Sequence, residues 1–155
     1  MGELPHYQYR GARTMVLLHE QQLRNFFQTW KRAKAEGIAL PQTGDSDYSS
    51  MDALLRHILR AARGYMTWMC QVLELPDPAI PPTPEASAID AEAESYLENL
   101  LKQWREPLSD VQEKRFYKPE YTSRWKVNYC IDAMMEHAVM HPIRHTFQLE
   151  ELIGS

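Results

Sequence analysis

The stretch Met134-Met135-Glu136-His137-Ala138-Val139-Met140-His141-Pro142-Ile143-Arg144-His145-Thr146-Phe147-Gln148-Leu149 decides how the chain is to be read. It holds half of the six histidines, spaced four residues apart. At roughly 3.6 residues per turn, four residues make one helical turn plus about 40° of rotation. Three imidazoles therefore climb one side of a helix. The apolar stripe of that helix, Val127, Ile131, Met134, Ala138, Leu149 and Leu152, passes through His141 and His145. Buried imidazoles without partners cost on the order of several kcal/mol together, and a shared metal ion offsets that cost.

His137 and His145 are separated by about 12 Å of helical rise, too far to share one ion. A site on this helix therefore uses either 137/141 or 141/145. His141 and His145 lie near the centre of the stripe and His137 on its flank, so 141/145 is the pair chosen here. Two histidines at i, i+4 can converge on one ion. Pro142, between them, removes a helix amide and is expected to kink the helix. The residues between the ligands, Pro142, Ile143 and Arg144, supply no glutamate of the metalloprotease kind. Arg144 is read as a solvated flank residue rather than an anion clamp.

Working outward, this final helix is expected from Thr122 or Ser123 to about Ile153. Helix 1 is expected from Thr14 to a glycine stop at Gly37, with the stripe Met15, Leu18, Gln22, Phe26 and Trp30, joined by Leu23 and Phe27. Residues 1–12 form a tail. Helix 2 runs from Ser50 to Leu75 after a capping box begun by Ser49 and Asp52. Its stripe, Leu54, His57, Ile58, Ala61, Tyr65, Trp68, Met69 and Val72, contains one histidine, His57. His57 is the third candidate ligand, and Tyr65 and Trp68 are expected to line a pocket beside it. Three histidines and an open position make the pattern of a catalytic zinc; nickel or iron would accept the same donors. Prolines 76, 78, 81, 82 and 84 keep the next stretch out of helix. Helix 3 runs from Pro84 or Glu85 to Pro107. The expected fold is all-α: one domain over 1–155, a four-helix bundle with a long proline-rich crossover between helices 2 and 3. No window shows a strand period. His6 and His19 are expected at the surface, with His19 able to approach the site. Cys70 and Cys130 are read as packing thiols.

The chain carries a net charge of −4 with acidic and basic residues interspersed, which argues against nucleic acid as a partner. Two cysteines do not make a disulfide framework. No run approaches the roughly 20 apolar residues of a membrane span, and residues 1–13 have no signal-peptide pattern. These features predict a soluble protein of a reducing cytoplasm.

The segments Ser49-Ser50-Met51-Asp52-Ala53-Leu54-Leu55-Arg56-His57-Ile58 and His141-Pro-Ile-Arg-His145-Thr-Phe-Gln148-Leu149 resemble the DinB-like (YfiT-type) family. The resemblance covers nearly the whole chain. It implies a bundle that holds a divalent metal (zinc, nickel or iron) through His57, His141 and His145, with His137 and Gln148 as companions. It also implies a homodimer and, for some members, transfer of a low-molecular-weight thiol to a small electrophile. The sequence departs from the family at Met140, Pro142 and Thr146-Phe147. A non-catalytic bundle, stapled by a metal or a histidine network and acting as a binding module, is the alternative expectation.

Overall fold

The computed structural model describes residues 2–155. Helix α1 is Arg10–Ala35, α2 Met51–Val72, α3 Ala86–Trp104, α4 Lys114–Tyr117 and α5 Ile131–Gly154; β1 (Tyr121–Thr122) and β2 (Asn128–Tyr129) form an antiparallel ribbon. The four long helices occupy the stretches where apolar residues recur with helical spacing. Helix α1 packs most extensively along α5, while α2 packs on α3 and α5. One core takes side chains from all four, among them Phe26, Leu55, Met66, Leu100 and Ala138.

Helix ends account for most differences from expectation. Ser50, not Ser49, caps α2: its hydroxyl accepts the Ala53 amide at 3.0 Å, satisfying a donor that the first helical turn leaves unmatched. The Ser49 hydroxyl instead donates to the Ser46 carbonyl at 2.8 Å. Helix α1 closes at Gly37 (φ +70°), with the Gly37 amide on Lys34 and the Ile38 amide on Ala33. Helix α2 closes in the same way at Glu74 (φ +57°), with its amide on Gln71 and that of Leu75 on Cys70. It therefore ends at Val72, before Pro76. The proline-rich segment that follows is tethered to α2: Arg63 Nε donates to the Ile80 carbonyl at 2.9 Å and Arg56 Nε to that of Pro84 at 3.1 Å.

The tail is shorter than expected, because α1 already begins at Arg10. Tyr7 is buried ahead of it and donates to the Arg105 carbonyl, and the Gln8 amide donates to Ser109 at 2.9 Å. The final helix starts later than expected, at Ile131. Residues 121–129 form a hairpin instead, and Val127 is exposed rather than part of the stripe. Its turn has the Lys126 amide on the Ser123 carbonyl and Lys126 at φ +67°. The buried Ser123 hydroxyl accepts the Val127 amide at 3.1 Å. Two paired residues per strand are too few to show a period of two.

The first turns of the α1 stripe are phased differently from expectation, while its later part, Leu23, Phe26, Phe27 and Trp30, is buried as expected. Val16, His19, Leu23, Phe26, Phe27 and Trp30 are buried, and Leu18 is exposed. Apolar residues at both 15/18 and 16/23 support two phases, and the structure takes the one that buries His19. Cys70 is buried, because α2 is covered by helices on more than one side. Buried indoles link helices: Trp30 Nε1 donates to Met51 O at 2.6 Å and Trp104 Nε1 to Ala62 O at 2.9 Å. Glu20 of α1 takes Arg105 in a two-pronged ion pair at 2.7 and 3.1 Å.

His19 stacks on Trp104 with ring centres 3.7 Å apart. Neither ring nitrogen has a hydrogen-bond partner, and burial lowers its pKa to about 3. The unfolded chain thus binds a proton at this residue, near an ordinary pKa of 6.5, that the folded chain refuses. Stability is unaffected above pH 6.5 and falls as pH drops from 6.5 toward 3. His19→Leu is expected to flatten that acid limb in urea titrations across pH 4–7; an unchanged limb would contradict the burial penalty. Glu74→Gly relieves a left-handed residue and is expected to raise stability by about 1 kcal/mol, seen as a higher urea midpoint at unchanged slope.

Candidate metal centre

Helix α5 begins at Cys130, whose sulfur accepts the Ala133 amide at 3.5 Å. It runs unbroken through the buried Pro142, and the Thr146 hydroxyl donates to the Pro142 carbonyl at 2.7 Å. His141 and His145 are buried on its inner face at 6% and 7% exposure. They face His57 of α2, which keeps 22% of its side chain exposed. One ring nitrogen from each of the three lies within 4.8 Å of the other two. His57 Nε2 and His141 Nε2 are 3.1 Å apart. Metal–nitrogen bonds of roughly 2.0–2.1 Å put two imidazoles on one tetrahedral ion about 3.3 Å apart. The donor set and its spacing therefore fit a divalent ion.

The other face of His57 is held from a segment that sequence reasoning passed over as loop. A short 3-10 turn, Ser46–Tyr48, precedes α2, and the Asp45 side chain accepts the Asp47 amide at its start. Asp47 Oδ2 lies 3.1 Å from His57 Nδ1. A carboxylate on Nδ1 keeps the proton on that nitrogen and leaves Nε2 as a free donor aimed at His141. The Tyr48 ring lies over the group, 5.4 Å from the His57 ring and 5.8 Å from that of His145. The signal was an acidic residue ten positions ahead of the helix-2 histidine; nothing in helical periodicity marks it.

Burial, then the neighbouring rings and Arg144, lowers the His141 pKa to about 2. His145 is lowered to about 4 by burial and then by His57, while the Gln148 side chain, a hydrogen-bonding neighbour, works the other way. Both rings are therefore neutral at pH 7, the form that ligates metals. His137, expected as a companion, sits one turn before His141 outside the group of three. Its ring stacks on Trp125 at 5.1 Å and meets Tyr65 edge-on at 5.4 Å. Burial and then Arg144 lower its pKa. His19, allowed near the site by the sequence, stacks on Trp104 instead.

The three histidines open onto a cavity of about 600 Å³. Tyr65, Trp68, His137 and Gln148 line it. The hairpin adds Arg124 and Trp125, which sequence reasoning missed because it continued the last helix through them. Trp68 Nε1 fastens the hairpin to α2 by donating to Thr122 O at 3.1 Å. A second, more apolar cavity of about 470 Å³ shares Tyr48, His145 and Gln148 with the first and extends toward Leu40, Leu54 and Leu152.

No helix among the described residues is long and apolar enough to cross a membrane. Comparison of the chain with protein-family models, curated proteins and solved structures found no match. The site is therefore argued from its own geometry.

Asp47→Asn removes the charge behind His57 and leaves its shape. It is expected to weaken divalent-metal affinity about 10–100-fold, the usual effect of losing such a partner. Competition against a chromogenic chelator measures this, and circular dichroism checks that helix content is unchanged. Equal affinity in both proteins would remove Asp47 from the centre.

Proposed function

We propose that this chain is a divalent-metal protein of the DinB-like kind, a helical bundle whose His57, His141 and His145 hold one ion with an exchangeable position facing the cavity. Within that reading it acts as a metal-dependent transferase or hydrolase on a small molecule. The carrying observation is the convergence of three imidazole nitrogens within 4.8 Å of one another at the wall of a cavity. Among the described residues no fourth histidine, cysteine or carboxylate joins that group, so none of those donor types closes the shell.

When bound, a divalent ion supplies Lewis-acid chemistry, lowering the pKa of a water or thiol ligand so that it is a nucleophile near neutral pH. The chain's own part is to hold and orient. Asp47 fixes the His57 tautomer, and burial keeps His141 and His145 neutral. Tyr48 and Trp125 line the cavity the donors face. Trp68, Tyr65 and Trp125 offer flat apolar surface to a substrate body. The preferred reaction is attack of a low-molecular-weight thiol on a small electrophile, with hydrolysis as the variant. The expected homodimer would cover Met140 and Phe147, two turns apart on one side of α5 and 50% and 59% exposed.

One observation favours a second reading. The 3.1 Å contact between His57 and His141 is itself a hydrogen-bond distance, so the pair can staple α2 to α5 without an ion. The protein would then be a non-catalytic binding module.

Elemental analysis of untagged protein separates the two. About one divalent ion per chain is expected, lost in His57→Ala and in His141→Ala. The metal-loaded protein is then expected to consume thiol in the presence of an electrophilic acceptor, and the stripped protein not to. Equal metal in wild type and both variants would overturn the metal reading; metal without turnover would leave the structural role.

A further inference from the structure

The cavity beside the histidines is cationic in a chain whose net charge is negative. Arg60 of α2, Arg124 of the hairpin and Arg144 of α5 all line it, against one carboxylate, Asp47. That carboxylate is already engaged by His57. None of the three guanidinium groups has a hydrogen-bond or ion-pair partner among the described residues, whereas Arg24, Arg56 and Arg105 each hold a glutamate.

Gly64 adds an independent observation. It lies in the middle of α2, where glycine costs about 1 kcal/mol relative to alanine. A Cβ there would stand 3.0 Å from Arg124 Nη1. The missing side chain lets the Arg124 guanidinium lie against the helix at the mouth of the cavity. The rest of the wall is flat and aromatic, with Tyr65, Trp68 and Trp125.

We infer that the cavity binds a small organic anion with a flat apolar body, its carboxylate or phosphate-type group held by Arg124 and Arg144 with Arg60 completing the positive wall. This deepens the metal-centre reading and rests on it: the anion is the substrate class presented to that centre. Guanidinium forks match carboxylate and phosphate oxygens in paired hydrogen bonds, and a divalent ion on the three imidazoles adds positive charge that Asp47, the one carboxylate lining the cavity, does not balance alone. The volume is within the range of small-molecule sites, about 300–1,000 Å³.

The test is a titration of the full-length protein, as purified, with benzoate, phenyl phosphate and the neutral benzamide. Quenching of tryptophan fluorescence reports binding, since Trp68 and Trp125 line the cavity. The anions are expected to saturate the signal at least tenfold more tightly than benzamide, and the two anion arms show which head group fits better. Arg124→Gln and Arg144→Gln are each expected to weaken anion binding about tenfold or more while leaving benzamide unchanged; both lie at exposed positions, and circular dichroism verifies their fold. Metal content is read in the same samples. Metal present with benzamide bound as well as benzoate overturns the anion site. Anion affinity kept in both arginine variants but lost on chelation also overturns it, because the ion alone would then be the anchor. Arginine-dependent anion binding in protein that carries no metal upholds the anion site and overturns the metal reading instead.

Discussion

The structure turns on a line of contacts from Asp47 to His57 to His141. It joins the 3-10 turn and the α2 that follows it to α5, more than eighty residues further along the chain (His57 to His141), through two distances of 3.1 Å. An imidazole at the wall of a core costs least when both nitrogens are occupied. Asp47 occupies one nitrogen of His57, and the shared point with His141 and His145 takes the other. The placement of α2 against α5 is therefore tied to chemistry as well as to apolar packing. His19 is the contrast within the same molecule: a buried ring whose nitrogens meet nothing. It packs as a flat surface against Trp104 and serves no such junction.

Electrostatics divide the site into two zones. His141 and His145 are held neutral by burial, as ligation requires. The cavity they face carries fixed positive charge from three arginines and flat aromatic walls from α2 and the hairpin. A neutral donor set beneath a cationic cavity suits chemistry in which the protein positions a charged substrate and leaves the reactive charge to an ion. The hairpin matters here because it adds Arg124 and Trp125 to the cavity wall, and it is fastened to α2 by a hydrogen bond from Trp68.

Much of this was legible before any coordinates. The i, i+4 spacing of His141 and His145, and a single histidine among the apolar residues of α2, were sufficient to bring residues 57, 141 and 145 together. What failed was local. The hairpin at 121–129 hid because two-residue strands carry no period and Val127 extends the apolar stripe of the helix behind it. His19 was taken as exposed because Met15 and Leu18 offer a second apolar phase one residue away from the true one. Asp47 was invisible because a charged residue in a polar loop looks like solvent-facing chain until the turn at Asp45 aims it at a ring. Arg60 and Arg144 sit on helix flanks, where sequence reading assigns solvent; only the hairpin closing above them makes that flank the wall of a cavity.

X-ray absorption at the edge of the metal that co-purifies tests the central claim most directly, because it counts and identifies the atoms around the ion. The account predicts three imidazole nitrogens at about 2.0–2.1 Å if the ion is zinc, plus at least one further light-atom ligand that exchanges with added thiol or anion. A spectrum with sulfur from the protein, or with fewer than three imidazoles, would mean that the rings of His57, His141 and His145 do not share an ion.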